Sequence, residues 1–452
     1  MKRIRGAWCC AIGLVFALGL SFCATASGAD SVAKETRPTN IIFILADDLG
    51  IGELGCYGQT KIQTPHLDNL AREGMRFTCA YSGASVCAPS RATLMTGLST
   101  GHCPIRANRE LQPVGQRPLP EETQTVAQIL QSAGYATGCF GKWGMGTMDS
   151  SGSPLKKGFD RFFGYNCQRH AHNYFTNFLY DNEARRELDG KTYSADLIVD
   201  EMMGWLEENA DRPFFLFYAT TLPHQKYEID DLGIYADKKG WTNLQKNYAA
   251  MVTRLDTHVG RIVAWLREKG LEKNTLIVFS GDNGGALAPD SGKARFFNQN
   301  LHYRGYKRTV YEGGLRNAAL AWQPGKIAPG QTCDIPWYFP DFLPTCAEIA
   351  GVSVPEQIQT DGVSITPILW ENRAVERKPM YWELHEIGFI QAVRFREWKA
   401  VRNGAEAPIE IYNLEQDPGE QHDLAKDQPE IVAEAERLLR ELRTDDPSWP
   451  TK

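Results

Sequence analysis

The sequence predicts an α/β protein, a layered sandwich on a buried, mostly parallel sheet, followed by a small C-terminal α+β subdomain with an antiparallel sheet. Three observations predict it. Short continuous apolar runs bounded by turn residues alternate with longer amphipathic stretches, the pattern of strands covered by helices on both faces. Several of these runs stop abruptly on Asp, Lys or Asn. After about Lys378 the pattern changes to short strands and one closing helix. At 452 residues and 42% hydrophobic content, the chain can bury one large core and a smaller second one.

Residues 1–29 read as an export signal, which makes the protein secreted or periplasmic. Lys2, Arg3 and Arg5 precede an apolar run from Trp8 to Phe22, and small residues follow in Ala24-Thr25-Ala26 and Ser27-Gly28-Ala29. The run is short for a bilayer span and no later segment reaches that length, so no stable membrane insertion is expected. The main domain is expected over residues 36–376. Its strands are Ile41 to Ala46, Ala136 to Phe140, Phe214 to Ala219, Thr275 to Ser280 and Ala318 to Trp322, all read as parallel. Its clearest helices are Ala195 to Glu208 and Leu244 to Lys269. The C-terminal subdomain, residues 377–452, opens with strands at Met380 to Leu384, Ile390 to Phe395, Trp398 to Val401 and Ile409 to Leu414. Asp417-Pro418-Gly419-Glu420 is a turn, and a helix runs from Pro429 to about Arg443 with one apolar face.

Four of the main-domain runs end at or near polar groups: Asp47-Asp48, Lys142, His224 and Asp282-Asn283. Open α/β sheets bind ligands beyond the carboxyl ends of their strands, so one pocket is expected to collect these residues. Cys87-Ala88-Pro89-Ser90-Arg91 adds a helix start: Pro89 suits the first turn, and Cys87 then meets the positive end of the helix dipole. Arg91, one turn on, faces the same way. Read alone, this segment also fits an ordinary cysteine before a helix, or a cysteine nucleophile with a histidine partner.

Cys87-Ala88-Pro89-Ser90-Arg91 followed by Leu94-Met95-Thr96-Gly97 resembles the signature of type I sulfatases, of the alkaline phosphatase superfamily. The similarity runs from Asn40 to about Leu424. It includes Asp47-Asp48, Gly141-Lys142-Trp143, Gly281-Asp282-Asn283-Gly284-Gly285, Lys307 with Glu312-Gly313-Gly314, and Ile411-Tyr412-Asn413-Leu414 before Asp417-Pro418-Gly419-Glu420. The resemblance implies an α/β/α sandwich with a mixed, mostly parallel sheet. It also implies a sulfuric ester hydrolase in which a formylglycine-generating or sulfatase-maturing enzyme converts Cys87 to formylglycine (3-oxoalanine).

The hydrated aldehyde of such a residue carries two hydroxyls. One attacks sulfur; the other loses its proton as the sulfated hemiacetal collapses to sulfate and aldehyde. The oxygen ligands Asp47, Asp48, Asp282 and Asn283, with residue 87, suit Ca2+, or less well Mg2+, and argue against zinc. Lys142 and Lys307 are implied to clamp the sulfate, Arg91 to hold the hydroxyls of residue 87, and His224 to protonate the leaving alcohol. One position departs from the pattern. Many family members carry His two residues after the Lys of Gly-Lys-Trp; here it is Gly144. That histidine is thought to assist hemiacetal breakdown, so His170, His172 or His302 is a candidate substitute.

The stretch Asn166-Cys167-Gln168-Arg169-His170-Ala171-His172-Asn173-Tyr174 is dense in groups that bind sugars. Arg169, His170 and His172 would meet anionic or hydroxyl groups and Tyr174 a ring face; His302 is a further candidate. Export and this loop point to a sulfated saccharide substrate, with a galactose or N-acetylgalactosamine sulfate favoured. A formal net charge of -6 offers no electrostatic footprint for nucleic acid. Of 11 cysteines, eight follow residue 29, and export permits them to pair. Two other readings stand beside the sulfatase: a phosphoester or phosphonate hydrolase of the same superfamily, and a non-catalytic binder of sulfated glycans in which Cys87 is never modified.

Overall fold

Asn40–Ala46 forms β1, buried along its whole length, because every residue after the first is apolar and both faces are covered. It lies parallel to β10 (Thr275–Gly281) on one side and β9 (Phe214–Ala219) on the other. The computed structural model describes residues 37–112, 114–286 and 296–451; the expected export signal lies outside them. Among the described residues, no helix is long and apolar enough to cross a membrane.

The remaining strands of the central sheet are β2 (Met75–Tyr81), β5 (Ala136–Lys142), β6 (Arg161–Tyr165), β7 (Phe178–Asp181), β8 (Ala184–Glu187), β11 (Arg316–Trp322), β12 (Gln331–Cys333) and β13 (Trp337–Tyr338). A separate two-stranded ribbon, β3 (Glu110–Leu111) with β4 (Gly115–Gln116), lies off it. The central sheet has eleven strands in the order β12-β2-β11-β10-β1-β9-β5-β6-β7-β8, with β13 also on β2. The pairs from β10 through β1, β9 and β5 to β6 are parallel.

The expected strand at Ala318 to Trp322 exists but is not parallel: β11 runs antiparallel to both β10 and β2. An apolar run carries no mark of direction, so only the long connection that precedes it decides this. Strands β2, β6, β7, β8, β12 and β13 show no clean apolar run in the sequence, since charged or polar residues interrupt them or they are very short.

Two buried clusters sandwich the sheet. On one face α1 (Pro65–Glu73), α4 (Ser194–Glu208) and α5 (Asn243–Glu268) bury Leu67, Ile198, Met202, Leu255 and Ile262 in one cluster with Ile42, Ile44 and Phe140. Thr242 and Gln245 form a capping box that fixes where α5 starts. The other face holds Ile41, Phe43, Leu94, Met95, Phe215, Phe217 and Leu343, with α2 (Cys87–Thr96) and α3 (Val126–Ser132) among its helices.

The C-terminal strands β14 (Met380–Leu384), β15 (Ile390–Phe395), β16 (Trp398–Arg402) and β17 (Ile409–Asn413) form an antiparallel sheet in sequence order. The helix Pro429–Glu441 packs on it through Ala435, Leu438 and Leu439. Residues 37–452 cluster as one unit, and the reason is visible in two of the motifs quoted from the sequence. Lys399 on β16 reaches Glu312 and Glu420, each at 2.9 Å, with all three side chains fully buried. Glu420 also accepts the backbone N–H of Glu312 at 2.6 Å. Glu312-Gly313-Gly314 and Asp417-Pro418-Gly419-Glu420 thus form a clamp joining this sheet to the chain that follows Lys307.

The eight cysteines after residue 29 are all free in the described structure, so the pairing that export would permit does not occur there. Seven of them are buried, where an unpaired cysteine packs as a small apolar side chain.

Candidate active site

The carboxyl ends of β1, β5, β9 and β10 open onto one cavity of about 270 Å³, and α2 starts at its floor. Asp47 and Asp48 follow β1 directly. Asp282 and Asn283 follow β10, whose parallel pairing places Gly281 beside Ala46; the Asp282 N–H extends this by donating to the Ala46 carbonyl at 2.9 Å. Lys142 is the last residue of β5. His224 follows β9, and the loop holding it is tied to the ligand strand by Asp47 N–H donating to the Leu222 carbonyl at 2.9 Å. Asp48 adopts a left-handed backbone (φ 62°), a strained state for a non-glycine residue and common at functional sites.

Cys87 Sγ occupies the place where a hydroxyl oxygen of formylglycine would stand. It lies 3.4 Å from Asp47, 4.0 Å from Asp48 and 3.3 Å from Lys307 Nζ. Burial first, then the nearby Asp282 carboxylate, push the thiol well above its ordinary range.

Three carboxylates meet three cations here. Lys142 Nζ donates to Asp47 at 2.7 Å, and Lys307 Nζ to both oxygens of Asp48 at 2.6 and 2.8 Å. Arg91 donates to Asp282 from Nε and Nη2 at 3.1 and 2.9 Å and to the Lys142 carbonyl at 2.6 Å. Burial alone would raise both aspartates of the first pair. Lys142, His224, Arg91 and Lys307 instead hold Asp47 well below the usual carboxylate range, and Lys307 and His224 hold Asp48 at about 2. Burial and the charge of Asp47 lift Asp282 to about 6 even beside Arg91. The hydrogen bonds of Arg91 thus align a ligand carboxylate and the end of β5.

The donor set fits a hard divalent cation. Asp47, Asp48, Cys87 and His224 offer ligand atoms all within 4.8 Å of one another. Asn283 Nδ2 donates to Asp48 at 2.7 Å, while its Oδ1 is buried with no hydrogen-bond partner. A carboxamide oxygen left unsatisfied beside aspartates is what an oxygen-liganded ion would complete. Asp47 and Asp48, grouped with residue 87 and His224, form a buried cluster consistent with Ca2+, whereas Asp282 is engaged by Arg91 on one oxygen and by the Asp48 N–H at 3.1 Å on the other.

His224 Nδ1 is 2.5 Å from the Gln225 carbonyl, and its Nε2 is 3.3 Å from both Lys307 Nζ and Asp48. The contacts select the tautomer with Nδ1–H donating to the carbonyl. Burial lowers this imidazole to about 3 despite the two aspartates, so it is neutral and its Nε2 accepts from Lys307. Tyr174, expected to meet a sugar ring, is instead fully buried and donates to the Thr221 and His224 carbonyls at 2.7 Å. It supports the His224 loop.

Among the three candidate substitutes for the histidine missing at Gly144, only His172 reaches the cavity. It stacks on His224 with ring centroids 4.4 Å apart. His170 is bound to Thr176 at 3.0 Å and stacked on Phe178, and His302 is exposed beside Tyr303; neither lines the cavity. Arg169 pairs with Glu110 and donates to Gln112 at 3.0 Å, so it anchors a rim carboxylate from outside.

The rest of the lining includes Gln168, from the polar stretch 166–174, and Gln225, Asn108, Glu110, Arg308 and Glu386, which no sequence pattern marks. Arg308 donates to Glu386 at 2.8 Å, Asn108 to Glu386 at 3.1 Å, and the Ala88 N–H to Asn108 at 3.0 Å. This network links the start of α2 to the loop after β14. For Gln168, Gly144 adds a second signal to its place in the polar stretch, because a bare position in a pocket wall leaves room for a neighbour.

The comparisons with known proteins agree with this geometry. The family profile described as Sulfatase matches residues 39–352, and one described as N-sulphoglucosamine sulphohydrolase, C-terminal, matches residues 302–445. The chain is 32% identical to arylsulfatase A of Homo sapiens over 90% of its length and 87% of that protein's. It is 29% identical to N-acetylgalactosamine-6-sulfatase of Rattus norvegicus, covering 87% of this chain and 82% of the relative. Among solved structures it is similar to Ps i-CgsB in complex with k-i-k-neocarrahexaose, with a TM-score of 0.81 and 29% identity over 92% of this chain and 95% of the other.

Proposed function

The chain belongs to the sulfatase family, and from that premise and the cavity it carries we infer that it hydrolyses the sulfate ester of a carbohydrate. The observation that carries this reading is Cys87 at the start of α2, with Lys307 and the Asp47–Asp48 pair gathered round its sulfur. The saccharide part is supported by the hydroxyl-binding rim of Asn108, Glu110, Arg308 and Glu386. Two relatives also support it: one is named for an N-acetylgalactosamine sulfate, and Ps i-CgsB was solved with k-i-k-neocarrahexaose bound. A galactose or N-acetylgalactosamine sulfate is the favoured unit. Export through residues 1–29 to the periplasm or the exterior, and maturation of Cys87 by a formylglycine-generating or sulfatase-maturing enzyme, complete the reading.

The roles follow from position. Lys142 and Lys307 present ammonium groups to the sulfuryl oxygens, where fixed charge in a buried site acts without reorganisation. Arg91 keeps Asp282 aligned. His224, whose Nε2 faces the site beside Lys307 and Asp48, is assigned to protonate the departing alcohol and must itself carry the proton when it does so, while Lys307 stays an ammonium. His172, the one of the three candidate substitutes that lines the cavity, is the base of the second step. Calcium, when bound, supplies positive charge at the sulfate and at the nucleophile. The aldehyde hydrate at position 87, when formed, supplies an attacking hydroxyl and a second one that permits sulfate release.

Protein matured in its own host should show formylglycine at residue 87 by peptide mass spectrometry. It should also release sulfate from 4-nitrophenyl sulfate and from sulfated saccharides much faster than it releases phosphate from 4-nitrophenyl phosphate. An intact thiol with undiminished sulfate release overturns the reading; preference for the phosphate ester favours a phosphohydrolase. For His172, the expected result is that His172→Ala protein accumulates a sulfated form during turnover, seen as a mass increase of one sulfuryl group. Normal turnover with no such species removes His172 from the second step.

A further inference from the structure

We propose that Gln168 is a sulfate-binding residue of this pocket: its carboxamide fills the space left bare at Gly144 and donates a hydrogen bond to the sulfuryl group held over residue 87. The proposal rests on the sulfatase reading above and adds to it a group that neither the strand ends nor the Cys87 segment identifies.

The argument begins with the backbone. Gly144 has φ +82°, in the left-handed region, and a Cβ built there would lie 2.3 Å from Gln168 Nε2. A side chain at 144 would therefore force the Gln168 amide out of its present position. The two positions are brought together by the end of the β5–β6 pairing. There the Trp143 N–H donates to the Tyr165 carbonyl at 2.9 Å and the Gly144 N–H to the Asn166 carbonyl at 3.1 Å. This ladder carries the chain beyond Lys142 alongside the chain leading to Gln168, so the amide sits beside Gly144 in the wall of the cavity that Lys142 also lines.

Gln168 is 5% exposed, yet neither Nε2 nor Oε1 has a hydrogen-bond partner. Leaving a buried amide unsatisfied is unfavourable, and such groups in a native fold call for an explanation. Here the explanation is at hand, because Gln168 lines the cavity together with Cys87, Lys142 and His172. A ligand with acceptor oxygens at the cavity floor would satisfy it. The amide offers two N–H donors and one acceptor and carries no charge. It adds a donor to the sulfate site without upsetting the balance of three carboxylates against Arg91, Lys142 and Lys307. A carboxamide takes up no proton at neutral pH, so Gln168 occupies space without acting as a base. The contact would form with bound sulfate and with the transition state alike, the behaviour of uniform binding.

The test measures binding and turnover separately. Isothermal calorimetry with inorganic sulfate, in the presence of calcium, would be run on the wild type, Gln168→Met and Gln168→Glu. Gln168→Met keeps the volume and loses the donor; about a 10- to 100-fold weaker Kd is expected. Gln168→Glu places a carboxylate against the sulfate and should weaken it further. Gly144→Ala displaces the same amide from the opposite side and should weaken sulfate in the same direction. With 4-nitrophenyl sulfate, Gln168→Met should raise KM by a similar factor and leave kcat nearly unchanged. Unchanged thermal midpoint and calcium affinity would separate this from a structural defect. Sulfate affinity and KM equal to wild type in Gln168→Met overturn the proposal. So does a loss confined to saccharide substrates, because the contact would then be to the sugar. A wild type that binds sulfate but hydrolyses no ester would defeat the sulfatase reading instead, and the calorimetry would still decide the role of Gln168.

Discussion

Replacing Cys87 by alanine is expected to lower sulfate release on the order of 10⁶-fold, the scale seen when the nucleophile of a covalent mechanism is removed. The side chain is buried at the cavity floor, with Lys307 and the Asp47–Asp48 pair around it. Among the described residues, no other hydroxyl or thiol lines the cavity to take over its role. The fold should survive, because the sulfur makes polar contacts only within the site and the truncation removes one small group from the floor of an open cavity. Cys87→Ser is the more informative variant. A serine hydroxyl can attack sulfur and release the alcohol, but no second hydroxyl remains from which to expel sulfate. The expected result is one alcohol released per protein and a stable sulfate ester on the introduced side chain, read as a stoichiometric burst and a mass gain of one sulfuryl group. Continued turnover by the Cys87→Ser variant would show that hydrolysis does not depend on two hydroxyls at this position.

Removing divalent cations with a chelator is expected to reduce kcat/KM about a thousandfold, equivalent to about 4 kcal/mol of transition-state stabilisation. Added Ca2+ should restore activity, and Mg2+ should restore less, because the site supplies several protein oxygens at once. The protein should nevertheless remain folded. Lys142, Lys307 and Arg91 already neutralise Asp47, Asp48 and Asp282 within hydrogen-bond distance, so loss of the ion leaves no aspartate uncompensated. The thermal midpoint should rise with calcium concentration by ordinary mass action. Asn283→Leu provides the independent check. It removes the unsatisfied Oδ1 and should weaken calcium in calorimetry while the three aspartates stay in place. Full activity after exhaustive chelation would exclude a required ion.

Much of this is legible in the chain before folding is considered, and particular residues show why. Strands β1, β5, β9 and β10 are local apolar runs, and their ends are marked by Asp47, Lys142 and Asp282 or lead into the His224 loop. Once they are read as parallel neighbours, convergence of those groups follows from the geometry of such sheets. Helix α5 announces itself by its apolar period, while the Thr242–Gln245 cap that fixes its start is seen in the structure. The harder cases are equally instructive. His170, His172 and His302 look alike in sequence, yet one lines the cavity, one packs between Tyr165 and Phe178, and one lies exposed. Tyr174 looks like a sugar platform and is a buried brace for the His224 loop.

By itself, then, the order of amino acids determined the layered architecture and the strand ends that meet at one pocket, and it carried the motif around Cys87 through which the family resemblance implied a nucleophile and an ion site. Each of these is written in a short contiguous segment whose pattern or chemistry acts locally. Tertiary structure alone decided the direction of β11, the unpaired state of the cysteines, which histidine shares the pocket, and the presence of Gln168, Asn108, Arg308 and Glu386 around it. Those depend on which loops the sheet and the C-terminal strands bring side by side, and on a left-handed glycine that vacates a space for a distant amide. Such contacts join residues far apart in sequence, so no local pattern encodes them.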